Sequence, residues 1–257
     1  MVDTEGRPVT GAHVECYGVG DSFVIVPPVQ TGDDGVFSFG PLPDNEYEVT
    51  ACGPGAAPSG AVAAKPGDTG LLLALRPAGT VAGCIADART KERCAAEIWV
   101  ASGGELLYVR DSGFSDSLFG SLTSSAQDWE PPPDGEFSFG DLLPGVYDLT
   151  AIGAGDRVGV ARRVEVVAGK TTHVEFWLEQ GAELRIGYRG PGEQAEVDIF
   201  AQGGLCYSTG LAPGMHGLFV VPAGEVTVEC TEGETKTAQQ VSLQPGERKV
   251  LAFGNRP

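Results

Sequence analysis

Basic residues are scarce in this sequence, and they do not form clusters. The 257 residues include 17 Lys and Arg against 35 Asp and Glu, which gives a net charge of −18. Proteins that bind nucleic acid need clustered Lys and Arg to neutralise phosphates, so this composition excludes a nucleic-acid partner. We interpret the acidity as a well-hydrated surface that keeps the chain soluble in salty or crowded surroundings. Recognition of cations or basic partners is the alternative.

Long apolar runs are absent as well. No stretch of the sequence approaches the roughly 18 to 20 apolar residues that a membrane-spanning helix requires, so we expect no membrane span in this segment. The amino terminus also lacks the basic region and apolar core of a secretion signal.

Residues that could perform catalysis or hold a metal are few and far apart. The three histidines, His13, His173 and His216, belong to no recognisable catalytic motif. No two cysteines lie two or three residues apart, as zinc sites require. Asp34 and Asp134 each precede a glycine, and a tight turn explains them better than a calcium site does. We therefore predict no catalytic residue, no metal and no cofactor.

The six cysteines permit disulfides but do not fix their pairing. Cys84 and Cys94 bracket a polar turn at residues 87–93, so a hairpin would bring them close, and we take them as the candidate disulfide. The weaker candidate pairs are Cys16 with Cys52 and Cys206 with Cys230. The alternative is that these residues are free, buried thiols that pack as small apolar side chains.

An internal repeat with a spacing of one hundred residues is the most informative feature of the chain. Residues 34–40 read Asp-Gly-Val-Phe-Ser-Phe-Gly, and residues 134–140 read Asp-Gly-Glu-Phe-Ser-Phe-Gly. Each copy continues through a Leu-Pro pair to a strand that begins with a tyrosine, Tyr47 or Tyr147. Self-similarity of this kind indicates one structural unit that is used more than once.

Glycine and proline punctuate short alternating runs throughout the chain, which is typical of turn-rich all-β proteins. We predict an all-β fold of three tandem Greek-key β-sandwich domains at residues 1–77, 78–180 and 181–257, the third a degenerate copy. The first has only Met1 and Val2 where the second has a full opening strand. Because an unpaired strand edge is a liability, we expect this strand to be cut or supplied from elsewhere. We also expect Met1 to be an internal position of a longer exported protein.

The repeated motifs resemble those of the carboxypeptidase regulatory-like domain. The resemblance rests on residues 6–9, 11–12, 34–39 and 42–51 of the first copy and on residues 134–139 and 143–151 of the second. The third copy matches in outline, at Phe219, Pro222, Gly224 and Val226. This family belongs to the transthyretin-like, or prealbumin-like, β-sandwich group and is close to the Cna-B type modules of surface proteins. The resemblance implies sandwiches of roughly seven or eight strands that are generally non-catalytic accessory or spacer domains of exported proteins.

Two activities found near this fold group are not expected here. Cna-B modules often carry a Lys–Asn crosslink, but the two asparagines, Asn45 and Asn255, lie outside the closing strands. Tyr188 and Arg189 resemble part of the motif of hydroxyisourate hydrolase, a transthyretin-fold enzyme. They lie in mid-chain with no histidine nearby in sequence, so a hydrolase is the least favoured class.

An insertion at residues 103–133 of the second copy contains the candidate ligand-binding residues. These are Tyr108, Phe114, Phe119 and Trp129, which stand among many Ser and Asp residues. Binding tends to reside in loops on a rigid sandwich, and such aromatics suit stacking on a sugar or a peptide. The alternative is that the four aromatics fold back over the sandwich or against the neighbouring unit.

These features favour a non-catalytic extracellular or cell-envelope segment that serves as a structural spacer and an adhesion or recognition module of a larger protein. The alternative is a carbohydrate- or peptide-binding accessory domain attached to a separate enzyme. The expected partners are a glycan or protein ligand and the neighbouring domains of a longer chain.

Overall fold

The computed structural model describes residues 1–19, 24–53, 55–102, 105–111 and 134–254. Strands joined by turns and loops make up these residues, and no helix occurs among them. The predicted all-β fold is therefore confirmed. Within these ranges, no helix long and apolar enough to cross a membrane is found. We call residues 1–77, 78–180 and 181–257 the first, second and third segments.

The first segment is built on one four-stranded antiparallel sheet. Its strands are β1 (His13–Val19), β2 (Ile25–Gln30), β3 (Glu46–Cys52), β4 (Ala56–Ala57), β5 (Val62–Ala64) and β6 (Arg76–Pro77). The sheet has the order β2-β1-β3-β5, and β4 and β6 form a separate short ladder. Alternation along β1 points Val14 and Cys16 into the core of this segment.

The second segment is a seven-stranded sheet that folds into two layers. Its strands are β7 (Gly79–Asp87), β8 (Ala96–Ser102), β9 (Glu105–Asp111), β10 (Glu136–Leu142), β11 (Gly145–Gly153), β12 (Arg157–Val166) and β13 (Thr171–Gln180). The order is β10-β7-β13-β12-β11-β8-β9, and β12 meets β13 at only two residue pairs. Phe139 of one half and Leu149 of the other lie in the same buried core.

The third segment consists of two separate sheets that share one core. Its strands are β14 (Ala182–Tyr188), β15 (Ala195–Ala201), β16 (Gly204–Leu211), β17 (His216–Val221), β18 (Gly224–Glu232), β19 (Thr235–Leu243) and β20 (Arg248–Phe253). The sheet orders are β17-β14-β20 and β16-β15-β18-β19. Leu184 and Ile199, one from each sheet, are both fully buried in that core.

The second and third segments have the same strand arrangement. In each, the first strand pairs antiparallel with the fourth strand and parallel with the seventh. The second, third, fifth and sixth strands form the other layer in both segments. The structural repeat thus extends to the third segment, whose sequence has diverged. The assignment to the Greek-key prealbumin type and the domain boundaries remain predictions.

A buried tyrosine near the start of β3 and of β11 fixes the corner that precedes each strand, which explains the repeated motif. The Tyr147 side chain is 4% exposed and that of Tyr47 is 1% exposed. The Tyr147 hydroxyl donates to the backbone oxygen of Leu143, and the Tyr47 hydroxyl donates to that of Pro43. A buried phenol needs such an acceptor, so each tyrosine is tied to the turn four residues before it.

The repeated Phe-Ser-Phe motif forms a strand in only one of its two copies. The sequence predicts a strand for both, but residues 36–40 form none, whereas the equivalent residues of the second segment form β10. The reason is the pairing partner, because β10 lies along β7. In place of β7, the first segment has an isolated parallel bridge between Val2 and Ala74. The strand predicted at residues 71–75 is reduced to that bridge for the same reason.

Candidate functional site

The described residues do not bring the histidines together. His13 lies on β1, His173 on β13 and His216 on β17, so each segment holds one, and all three side chains are exposed. Tyr188, from the hydrolase-like motif, is a core residue that is 1% exposed. No nucleophile and base are seen to be paired in this arrangement of the described residues, and a non-catalytic role remains our interpretation.

All six cysteines are free thiols in the structure, so the predicted disulfide between Cys84 and Cys94 is not present in it. The Cys94 amide donates to the backbone oxygen of Ile85 at 3.1 Å, so Cys94 lies opposite Ile85 rather than opposite Cys84. Successive residues of a strand point to opposite faces. Cys94 therefore shares the core side with Ile85, and the Cys84 thiol points to the other side.

The Asp-Gly pairs at the hairpin tips serve as turns. Asp34 accepts a hydrogen bond from the amide of Val36 at 3.0 Å, and Asp134 accepts one from the amide of Glu136 at 3.1 Å. These local bonds are the usual role of aspartate in a turn. Over the described ranges, no group of three or more His, Cys, Asp or Glu residues could hold a metal ion.

Most of the predicted ligand-binding residues lie outside the described residues. Phe114, Phe119 and Trp129 belong to the part of the insertion that is not described. Tyr108 lies on β9 opposite Val100 of β8, although its side chain is not described. The ligand-binding role of these four residues therefore remains a prediction.

An arginine of the second segment binds backbone oxygens of the third. Arg162 lies on β12 beside a bulge, where the pairing shifts between Tyr147 and Leu149 of the facing strand. Its Nη2 donates to the backbone oxygen of Ala201 at 2.9 Å, and its Nη1 donates to that of Leu205 at 3.3 Å. Bulges commonly redirect a side chain, and this one directs the guanidinium across the junction. The sequence analysis missed this residue.

An aromatic pair lies at the same junction. Trp99 projects from β8 and packs against the core of the third segment rather than its own. Its ring centroid lies 4.7 Å from that of Tyr207, with an interplanar angle of 62°. The Tyr207 hydroxyl donates to the backbone oxygen of Val220 at 2.6 Å, and burial raises the pKa of this phenol. Edge-to-face contact adds about 0.5–1.5 kcal/mol beyond the buried area.

A groove runs along the first segment, and Met1 closes one end of it. The Met1 amino group donates to the Gly35 oxygen at 2.8 Å, as the Ile85 amide donates to the Gly135 oxygen at the same distance. Met1 is 7% exposed and Ile85 is fully buried. Met1 therefore occupies the position that Ile85 occupies near the end of β7.

The groove occupies the place that the rest of β7 fills in the second segment. By the equivalence of Met1 and Ile85, the groove lies where residues 79–84 lie in the second segment. The resulting cavity has a volume of about 710 Å³. Its walls are residues 34–42 and 64–71, and Tyr47 and Val49 lie between them.

The groove leaves both its aromatic side chains and its backbone incompletely covered. Phe137 and Phe139 are buried under β7, whereas the equivalent Phe37 and Phe39 are half-buried. Residues 37–42 and 69–72 form no backbone–backbone hydrogen bond with any described residue.

No family model matches this chain, and no curated protein sequence matches it. Among solved structures, it is similar to the Bacillus anthracis TIE protein, with 16% identity over 98% of this chain and a TM-score of 0.27. It covers 48% of that protein, about half of its length. The minor pilin GBS52 of Streptococcus agalactiae is 14% identical over 67% of this chain and 84% of its own, with a TM-score of 0.29.

The shaft pilin SpaA of Lactobacillus rhamnosus GG is also similar, with 13% identity over 67% of this chain and 89% of its own, and a TM-score of 0.29. TM-scores at this level do not establish a shared fold. The resemblance to the carboxypeptidase regulatory-like family therefore remains a prediction from the sequence motifs.

Proposed function

We propose that residues 1–257 form a stiff, non-catalytic spacer and recognition segment of a larger extracellular or cell-envelope protein. The observation that carries this proposal is the bond of Arg162 to the backbone oxygens of Ala201 and Leu205. An arginine held in this way between two segments restricts how one can turn against the other, because its planar guanidinium requires a fixed geometry.

The connections between segments support the same proposal. One residue, Ala78, joins β6 to β7, and it donates to the oxygen of Gly55 while its own oxygen accepts from the amide of Gly169. One residue, Gly181, joins β13 to β14, and it donates to Asp156 and accepts from the amide of Gly246. Each connecting residue is thus bonded to the segment before it and the segment after it.

The test of stiffness is the relative orientation of the second and third segments in solution, measured from residual dipolar couplings. We expect one common alignment tensor for both segments in the unchanged protein. The double variant Arg162→Ala, Trp99→Ala should require two different tensors. Arg185→Ala, at an exposed position on β14, serves as the control for loss of one positive charge. Two independent tensors in the unchanged protein would contradict a stiff spacer.

The location at the cell surface is tested separately. An antibody against residues 1–257 should label intact cells of the source organism, and protease added outside the cells should remove that label. Labelling that appears only after the cells are opened would contradict the extracellular or envelope location while leaving the stiffness result intact.

A second candidate function is glycan or peptide binding by the insertion, on the strength of its four aromatic residues Tyr108, Phe114, Phe119 and Trp129. If the insertion binds sugars, Trp129→Ala should abolish retention on a glycan array and leave the far-ultraviolet circular dichroism unchanged. Trp177→Ala is the matched control, because this tryptophan lies on β13 and is 46% exposed. Equal retention of both variants and the unchanged protein would argue against this function.

A further inference from the structure

We propose that the outer face of the β17-β14-β20 sheet is an interface through which two copies of this chain form a weak two-fold dimer. The outer face is the side of this sheet that points away from the core of the third segment. The dimer goes beyond the spacer role and does not depend on it, because it concerns contacts between chains rather than between segments.

Two adjacent rows of side chains cross the outer face. In the Arg185 row, the neighbours of Arg185 are Leu218 on β17 and Val250 on β20. Leu218 is 61% exposed and Val250 is 68% exposed. The Glu183 row lies beside it and consists of Val220, Glu183 and Arg248. Each row therefore has a charged residue on its central strand and an apolar residue on β17.

The fold does not require the apolar side chains of the Arg185 row. Leu184 pairs with Phe219 as Val81 pairs with Phe139, which aligns the two sheets. The equivalent row of the second segment then consists of Ser138, Ala82 and His173. Contiguous exposed apolar side chains that the fold does not need commonly mark a contact surface.

The exposure of the outer face does not depend on the length of the chain. The third segment follows the second directly, and the equivalent face of the second segment remains exposed at His173 and Glu175. A segment that followed residue 254 in the same way would leave the outer face of the third segment exposed as well.

Opposite charges lie two residues apart on the central strand of the outer face. Arg185 is exposed and has no hydrogen bond or ion pair with any described residue. The Glu183 carboxylate lies 3.5 Å from Nε of Arg248 and is 23% exposed. The outer face thus offers one unpaired cation beside one carboxylate that has a single, long ion pair.

This arrangement is complementary to itself under a two-fold axis. An axis that lies between two copies and runs across the strands at the level of Leu184 places the Arg185 row of each copy over the Glu183 row of the other. Sheets that stack face to face keep their strands nearly aligned at a spacing of about 10 Å. Arg185 then lies over Glu183 of the second copy, and Leu218 lies over Val220 of the second copy. Both contacts occur twice, as in any isologous interface.

Self-complementarity favours a second copy over an unrelated acidic partner. An acidic partner would pair with Arg185 but would be repelled by Glu183, whereas a second copy satisfies both charges. The net charge of −18 on each copy opposes association, but salt at about 0.15 M screens charges more than about 8 Å apart.

The size of the outer face makes the dimer weak. Three strands about 4.8 Å apart, with about seven residues of about 3.4 Å each, cover about 350 Å² per copy or about 700 Å² in total. Stable complexes bury about 1,200–2,000 Å². We therefore expect a dissociation constant of about 1 mM, so that the dimer forms only where the protein is concentrated.

Sedimentation equilibrium in about 0.15 M salt tests the dimer. The weight-average mass should be 26.6 kDa at about 10 µM and should rise by about 1.5-fold at about 1 mM. Leu218→Ser introduces the residue found at the equivalent position of the second segment, and it should reduce the rise at 1 mM by at least half. Unchanged far-ultraviolet circular dichroism would show that this variant remains folded.

Exchange of the two charges tests the geometry of the dimer. Arg185→Glu alone places Glu over Glu of the second copy, and Glu183→Arg alone places Arg over Arg, so neither variant should dimerise. An equimolar mixture of the two variants at about 0.5 mM each should form a heterodimer, because every Glu then lies over an Arg. Lys170→Glu makes the same change of charge at an exposed turn and should dimerise like the unchanged protein.

Three results would overturn the proposal. The first is a mass of the unchanged protein that stays at 26.6 kDa up to about 1 mM, which would also be seen if this face contacts a different protein. The second is a rise in mass that Arg185→Glu and Leu218→Ser both leave intact, which would assign the contact to another surface. The third is a mixture of the two charge variants that remains monomeric while both are folded.

Discussion

The Tyr147 hydroxyl donates a hydrogen bond of 2.6 Å to the backbone oxygen of Leu143, which fixes the corner that leads into β11. Tyr147→Phe removes only this bond, so the free energy of unfolding should fall by about 1 kcal/mol. Tyr147→Ala also leaves a cavity and should lower it by about 3–5 kcal/mol. Urea unfolding measures both changes. Val146→Ala, at a neighbouring side chain that is 48% exposed, should change the value by less than about 0.5 kcal/mol.

The glycine after Asp134 is required for space as well as for backbone conformation. Gly135 has a φ of 63°, and a Cβ placed on it would lie 2.5 Å from the backbone oxygen of Ile85. Gly155 has a φ of 71° with no atom within 4 Å of such a Cβ. Gly155→Ala should therefore cost about 1 kcal/mol, and Gly135→Ala should cost about 1–3 kcal/mol more. Equal melting temperatures for the two variants would show that the backbone at Ile85 shifts to make room for the added methyl group without loss of stability.

Asp87 should make the second segment sensitive to acid. Its carboxylate accepts backbone hydrogen bonds from Thr90 and Arg89 at 2.9 and 2.8 Å and pairs with Arg157 at 2.6 Å. The Thr90 bond is the largest cause that lowers the pKa of Asp87, and burial opposes it. Because the pKa of Asp87 is lower in the folded state than in the unfolded state, its carboxylate stabilises the fold above about pH 4. That contribution is lost as the pH falls through the folded-state pKa.

Chemical denaturation at pH 7 and at about pH 2 tests whether the stabilisation by Asp87 is lost in acid. Asp87→Asn should be less stable than the unchanged protein at pH 7, and the difference should shrink in acid. Asp33→Asn removes one exposed carboxylate and serves as the control for net charge. A difference that stays constant with pH would show that the Asp87 charge does not stabilise the fold.

The thiols should label in an order set by burial. Burial raises the pKa of Cys16, Cys94 and Cys230, which lowers their thiolate fraction near pH 8. Alkylation of the folded protein should modify Cys84 before these three. After denaturation without reductant, all six cysteines should carry the label. A peptide pair linked through Cys84 and Cys94 would show instead that the disulfide of the sequence prediction forms in solution.

The local sequence pattern predicted those strands in which apolar and polar residues alternate. In β13, Val174, Phe176 and Leu178 are buried while the residues between them are not, and the period of two is visible in the sequence. The same reasoning placed a strand at residues 36–40, where the structure has none. Phe37 and Phe39 have the alternating pattern of a strand, but a strand also needs a hydrogen-bonded neighbour. In the second segment that neighbour of β10 is β7, which is distant in sequence.

The junction between the second and third segments could not be predicted from the sequence. Arg162 and Ala201 are 39 residues apart, and nothing in either stretch signals the other. The bulge beside Arg162 breaks the alternation of β12, and its direction depends on how β11 and β12 pair. By contrast, the groove could be anticipated from the sequence, because only Met1 and Val2 of this sequence align with β7 of the second segment.

Parallel pairing of β7 with β13 has a mechanical consequence. The chain begins the second segment on β7 and ends it on the neighbouring β13, so a pull on the two termini acts along opposite ends of adjacent strands. Such a load shears the whole hydrogen-bond ladder at once instead of opening it one bond at a time. The third segment has the same arrangement in β14 and β20.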